Sequence, residues 1–185
     1  MLLLTSRTFI INIKLQAILI FMKRKLRVGI FSFTCDEGCS ITFLEILNQK
    51  FFEWKDLIEF KHFRLIQSKS EIKNLDIAFV EGAISTEEEL EKIKVIRKNS
   101  KKLVLLGNCA ISGSPSNLRN FFDKERKNEI KEIVKKFGHM EKVLAVKEVV
   151  KADEEVPGCP MQEEKFLEIV ENLLKNFGVK NASRL

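Results

Sequence analysis

Three short apolar runs constrain this chain more than any other feature. Arg27 to Phe33 (RVGIFSF), Leu75 to Val80 (LDIAFV) and Lys102 to Leu106 (KLVLL) are rich in Val, Ile, Leu and Phe and barely alternate with polar residues. A strand with one wet face alternates; a run that does not must be covered on both faces. The stretches between them carry apolar residues at helical spacing. Phe43, Leu44, Leu47, Phe51 and Trp54 share one face of a predicted helix over 40–54. Thr86 and Glu89 have capping-box spacing, ahead of a helix face made by Leu90, Ile93 and Ile96. Ile130, Ile133, Val134 and Phe137 predict another helix, stopped by Gly138. The last helix starts after Pro160 and uses Phe166, Ile169, Val170, Leu173, Leu174 and Phe177. Phe60 to Ile66 reads as an edge strand, and Val143 to Val146 as a weak one. Strands alternating with helices predict an α/β fold: a parallel sheet with helices on both faces.

A chain of 185 residues with 45% apolar composition holds one domain with a real core. Residues 22–185 are read as that domain. The preceding stretch FIINIKLQAILIF is apolar but contains Lys14, is too short to span a bilayer and lacks a small-residue cleavage site. Met22 followed by KRKLRVGIFSF reads as a natural start, so residues 1–21 are expected to be an extension outside the fold. No membrane insertion is expected. The net charge is +6, but the lysines alternate with glutamates, as in EEELEKIKVIRKNSKK. Such stretches are solvated helix faces. A nucleic-acid site would gather its basic residues on one surface, so no nucleic-acid partner is expected. The 15 phenylalanines beside no tyrosine suggest no mechanism.

The four cysteines carry the chemistry. Cys35 and Cys39 lie in FTCDEGCS, Cys109 in LLGNCAISG and Cys159 in EEVPGCPM. All occupy turn-like junctions, and none lies inside an apolar run where an inert buried thiol belongs. In an open α/β sheet, ligands bind beyond the carboxyl ends of the strands. Cys35 follows one predicted strand, Cys109 another, and Glu81 a third, with Gly82 and Gly107 providing tight turns. Four thiols on one edge suit a soft metal centre. Structural zinc sites usually draw on two short cysteine pairs. One short pair plus two lone cysteines favours an iron–sulfur cluster, with a zinc site as the rival. Disulfides do not suit a chain without an export signal in a reducing cytoplasm. His62 and His139 lack metal-ligand spacing and read as surface residues. Ser112, Ser114 and Ser116 read as loop formers, and Asp36 and Glu37 as solvated. There is no P-loop, no GxGxxG and no G-x-S-x-G elbow.

Taken in order, the close cysteine pair after the first strand, VEGAI, LLGNCA and VPGCP resemble the small subunit of nickel–iron hydrogenases and the related 20 kDa subunit of respiratory complex I. The short small subunits of the sulfhydrogenase and F420-non-reducing hydrogenase group are especially similar. The likeness runs from about Val28 to Phe177. It implies a flavodoxin-like fold and a [4Fe–4S] cluster beside a catalytic large subunit. By position it makes Cys35, Cys39, Cys109 and Cys159 the cluster ligands. It also sets Glu81 near the cluster and the subunit interface, as an interface or proton-path residue. The first pair is spaced Cys-x-x-x-Cys, one residue longer than the family's usual Cys-x-x-Cys. No cysteines remain for further clusters, and no nickel ligands are present. The resemblance therefore implies a cytoplasmic electron-transfer subunit of an oxidoreductase. It would not be catalytic alone, and would work with a hydrogenase-like large subunit and further electron-transfer subunits. Ile111 and Met161 are expected to be exposed and to help cover the cluster at the interface. A zinc-stabilised or metal-free scaffold or assembly protein on the same fold is the alternative.

Overall fold

The computed structural model describes residues 25–68 and 71–179, so the expected extension at 1–21 lies outside the described residues. In chain order the strands are β1 (Leu26–Ser32), β2 (Ile58–Phe63), β3 (Leu75–Glu81), β4 (Ile84–Thr86), β5 (Ser100–Leu106), β6 (His139–Leu144) and β7 (Glu154–Val156). The helices are α1 (Gly38–Gln49), α2 (Phe51–Trp54), α3 (Glu87–Lys98), α4 (Gly107–Ser112), α5 (Lys124–Lys136), α6 (Val146–Val149) and α7 (Glu163–Asn176), with a 3-10 turn at Leu118–Phe121.

The three apolar runs are β1, β3 and β5, and they lie side by side at the centre of one sheet. Its order is β2-β1-β3-β5-β7, and every pairing is parallel. Counting main-sheet strands alone, that order is 2-1-3-4-5, the flavodoxin-like doubly wound arrangement. Strand periodicity divides the core cleanly. Val28, Ile30, Ile77, Phe79, Val104 and Leu106 face one layer, with α1 and α7. Phe31, Ala78, Val80, Leu103 and Leu105 face the other, with Ile93 and Ile96 of α3. Thr86 caps α3 as expected, accepting from the Glu89 backbone while the Glu89 carboxylate accepts from the Thr86 N–H.

The phenylalanine excess has a structural use that composition did not reveal. Phe43 of α1 is surrounded by the rings of Phe60, Phe63, Phe79 and Phe166, at centroid distances of 6.1, 5.5, 5.8 and 5.2 Å. Three of these four contacts are edge-on, a geometry that stabilises by about 0.5–1.5 kcal/mol each beyond the buried area. The four together join two strands and both helices of that layer.

Three expectations are corrected. The helix over 40–54 breaks at Lys50 (φ −95°, ψ 8°) into α1 and α2, which rotates the face. Trp54 is buried as expected, but Phe51 is half exposed. The weak strand at 143–146 is displaced: β6 starts at His139 and pairs antiparallel with β4 in a separate two-stranded sheet, while Val146 opens α6. The segment after β5 is helical from Gly107, so Cys109 stands in a helical turn and not in a loop.

At the amino end of the sheet, Asp76 is fully buried. It accepts from the Arg27 backbone N–H (3.0 Å), the Arg27 guanidinium and Lys101 Nζ (2.8 Å). Burial pushes this carboxyl up, but the hydrogen bonds from Lys101 and Arg27 outweigh it and hold it at about 2, against 3.8 ordinarily. A carboxyl lowered in the folded state stabilises above its unfolded value and loses that contribution as pH falls through the folded one. Asp76→Asn should therefore cost about 2 kcal/mol in denaturant titrations at neutral pH. The gap should close between pH 4 and pH 2. An equal gap at both ends of that window would contradict the assignment.

Candidate metal centre

The parallel sheet brings its strand ends to one edge, and four of them lead to a candidate site residue. β1 leads to Cys35 and Cys39, β3 ends in Glu81, β5 runs into α4 with Cys109, and β7 precedes Cys159. Together Cys35, Cys39, Cys109, Cys159, Glu81 and Gly107 line one cavity of about 90 Å³. All four cysteines are free thiols; Cys39 is buried, Cys35 and Cys109 are half-buried, and Cys159 is exposed. Among the described residues no three His, Cys, Asp or Glu side chains draw together as a single-ion site would. The thiols surround a space instead.

Local chemistry holds each thiol in place. Thr34 and Ala83 exchange backbone hydrogen bonds (3.0 and 2.9 Å), which fixes the chain just before Cys35 against the end of β3. The approach is close: a Cβ on Gly82 would stand 2.8 Å from the Phe33 backbone. In the Cys35–Cys39 loop, Glu37 adopts a left-handed conformation (φ 61°) at the head of α1. From there the Glu37 N–H donates to Cys35 Sγ at 3.4 Å. Asp36 and Glu37 are exposed, as expected. Gly107 (φ 76°) opens α4, and a Cβ there would come within 2.5 Å of Cys39 Sγ. Asn108 ties α4 to the Cys159 turn in both directions: its N–H donates to Gly158 O (2.8 Å), and its Oδ1 accepts from Gly158 N (3.0 Å).

Glu81 is buried and takes three hydrogen bonds, from Ser32 Oγ (2.7 Å), Ser40 N (3.1 Å) and Ser40 Oγ. Those donors offset the cost of burying a carboxylate. Burial first, and then the Glu81 charge, push the Cys35 thiol up to about 12. Burial pushes Cys39 up to about 12 as well; the Met161 N–H opposes it and Glu81 adds to it.

Several neighbours of the candidate residues escaped the sequence reading. Ser32 and Ser40, the donors to Glu81, carry no motif. Ser116 is more than a loop former: its hydroxyl donates to Cys109 Sγ at 3.3 Å. β7 is only Glu154–Val156, too short and polar to read as a strand. Met161 is buried and Ile111 packs on the second core layer, so neither forms the exposed cover expected of them. His62 is also buried, stacked on Phe31, which corrects its surface assignment. His139 is half-buried, with Nδ1 2.9 Å from Ser85 Oγ.

Residues 35–173 match the family described as NADH ubiquinone oxidoreductase, 20 Kd subunit. Sulfhydrogenase 2 subunit delta of Pyrococcus furiosus is 28% identical over 153 residues, covering 81% of this chain and 62% of the relative. One of the subunits of the F420-non-reducing hydrogenase of Methanothermobacter marburgensis is 28% identical over 170 residues, covering 83% of this chain and 55% of the relative. The chain thus spans a little over half the length of both. A chain in the crystal structure of NAD+-reducing [NiFe]-hydrogenase in the H2-reduced state superposes with a TM-score of 0.72 at 24% identity, over 83% of this chain and 93% of that one. That likeness shows the α/β fold.

With Cys35 and Cys39 at about 12, only about one thiol in ten thousand is ionised at pH 8. Brief iodoacetamide treatment of the metal-free chain at pH 8 should therefore modify exposed Cys159 well before Cys35 and Cys39, as read by peptide mass spectrometry. Equal labelling of all three would contradict this geometry.

Proposed function

The chain belongs to the NADH ubiquinone oxidoreductase 20 kDa subunit family, and from that membership we propose that it is the electron-transfer small subunit of a hydrogenase-like oxidoreductase complex. It would carry one [4Fe–4S] cluster on Cys35, Cys39, Cys109 and Cys159. The observation that carries this reading is that every cysteine of the chain lines one cavity at the carboxyl edge of the sheet.

The residues fit such a group. Four soft thiolate donors are the set an iron–sulfur cube uses. The space between them, about 90 Å³, is several times the roughly 10–15 Å³ that one water needs. The bare face of Gly107 keeps that space open beside Cys39. When bound, the cluster supplies one-electron transfer.

The chain's own groups tune and hold the site. N–H donors reach Cys35 and Cys39, from Glu37 and Met161, and the Ser116 hydroxyl reaches Cys109. Donors to sulfur stabilise negative charge and raise a reduction potential. The Glu81 carboxylate works in the opposite sense. Because Cys35 and Cys39 are protonated when the site is empty, loading must release their protons and weakens as pH falls.

Exposed Cys159 leaves one side of the cavity facing solvent. A catalytic large subunit docking on this edge would close it, and further subunits would carry electrons onward. We assign Glu81 to that interface, as anchor or proton carrier. Four free thiols fit a reducing compartment such as the cytoplasm. No helix among the described residues is long and apolar enough to cross a membrane.

The test is EPR of the anaerobically purified, dithionite-reduced chain together with its partners. A reduced-cluster signal that disappears in Cys159→Ala supports the reading; its absence from the unaltered protein refutes it. Glu81→Gln should lower turnover of the assembled complex, and normal turnover would remove Glu81 from the interface and proton path.

A further inference from the structure

A second cavity, of about 370 Å³, opens at the carboxyl ends of β1 and β2. Its lining includes Ser32, Glu37, His62, Phe63, Arg64 and Lys92. Its volume falls in the range of small-molecule sites. No cysteine belongs to it.

His62 is one of its lining residues, and its placement is specific. The register of β2 on β1 slips between Val28 and Gly29: Phe60 pairs with Val28 and His62 with Gly29, leaving Lys61 as the extra residue. Such a bulge re-aims the side chains that follow it. Here it turns His62 inward, onto Phe31, with ring centroids 4.2 Å apart and planes 18° apart. Gly29 makes room, since a Cβ there would meet the Phe31 ring at 2.6 Å. His62 is 5% exposed, yet its Nδ1 is buried with no hydrogen-bond partner. Burial, then Lys92 and Arg64, push this imidazole down to about 4. It is therefore neutral at physiological pH, with one N–H to give.

Both cations act on the His62 ring, and neither forms an ion pair with a described residue. Lys92 Nζ stands 5.7 Å from the centre of the Phe33 ring. An arginine fork, a lysine point charge and a neutral imidazole ring line this one cavity, a set suited to an oxyanion. Glu37 refines it. A carboxylate repels a fully deprotonated anion but accepts a hydrogen bond from one that keeps a proton. Hydrogen phosphate keeps a P–OH at neutral pH; sulfate and simple carboxylates do not.

We infer that this cavity binds a phosphate group, held by Arg64, Lys92 and His62, with Glu37 accepting from its P–OH. The site is separate from the cysteine cavity, and Ser32 links the two: it lines this one and hydrogen-bonds Glu81, which lines the other.

Isothermal titration of the full chain with inorganic phosphate at low ionic strength tests this, with sulfate as comparison. Saturable one-to-one binding is expected, with phosphate preferred over sulfate. Arg64→Ala and Lys92→Ala should each weaken it about tenfold or more, the loss of one charge-assisted contact. His62→Phe keeps the stack on Phe31 and should also weaken binding. Glu37→Gln should narrow the preference for phosphate. No binding up to about 10 mM phosphate, a span that covers millimolar affinity, overturns the proposal. Binding indifferent to Arg64→Ala and Lys92→Ala overturns it too, as does sulfate binding as tightly as phosphate.

Discussion

Parallel pairing of β1, β3, β5 and β7 is the constraint on which the rest depends. A parallel sheet points every carboxyl end the same way, so the segments that follow its strands all start from one edge. Cys35 and Cys159 are far apart in sequence, yet they line one cavity because each follows a strand of that sheet. An antiparallel pairing would have sent one of them to the opposite end. The apolar strands therefore do more than fill a core. Their burial on both faces enforces the topology, and the topology assembles the site. The opposite edge carries stability, with Asp76 tied to Arg27 and Lys101 where the strands begin.

The cysteine cavity balances opposing electrostatic effects. Burial and the Glu81 charge disfavour thiolates, while N–H donors favour them at Cys35 and Cys39. An empty site with two protonated, partly desolvated thiols avoids close negative charges. A bound cationic centre reverses that preference, because a metal held by thiols strips their protons outright. Glu81 can stay buried beside such a site because three donors from Ser32 and Ser40 satisfy it. The serines that hold the carboxylate belong to β1 and to the first turn of α1, the two segments that flank the Cys35 loop. Fixing Glu81 and fixing the cysteine loop are thus one piece of packing.

Much of this was legible in the sequence, for physical reasons. The unalternating runs at 27–33, 75–80 and 102–106 announced doubly covered strands, and the Thr86–Glu89 spacing announced a helix start. The grouping of Cys35, Cys39, Cys109 and Glu81 on one edge followed from their places after strands. What was hidden depends on tertiary pairing. β7 is three residues long and gains its strand character from β5 alongside it, so Cys159 read as a turn residue without a strand before it. His62 looked like surface because the bulge at Lys61, which turns it inward, is a property of two strands together. The break at Lys50 leaves Trp54 in the core but turns Phe51 out of it, and no residue type at that position announces it.

The central claim is that the four thiols hold one iron–sulfur cube and not a single ion. Iron, zinc and acid-labile sulfide analysis of the chain, purified without oxygen, tests it most directly. The account predicts about four iron and four sulfide per chain, the content of one cube. One zinc per chain without sulfide, or no metal at all, would contradict it and leave a scaffold on the same fold.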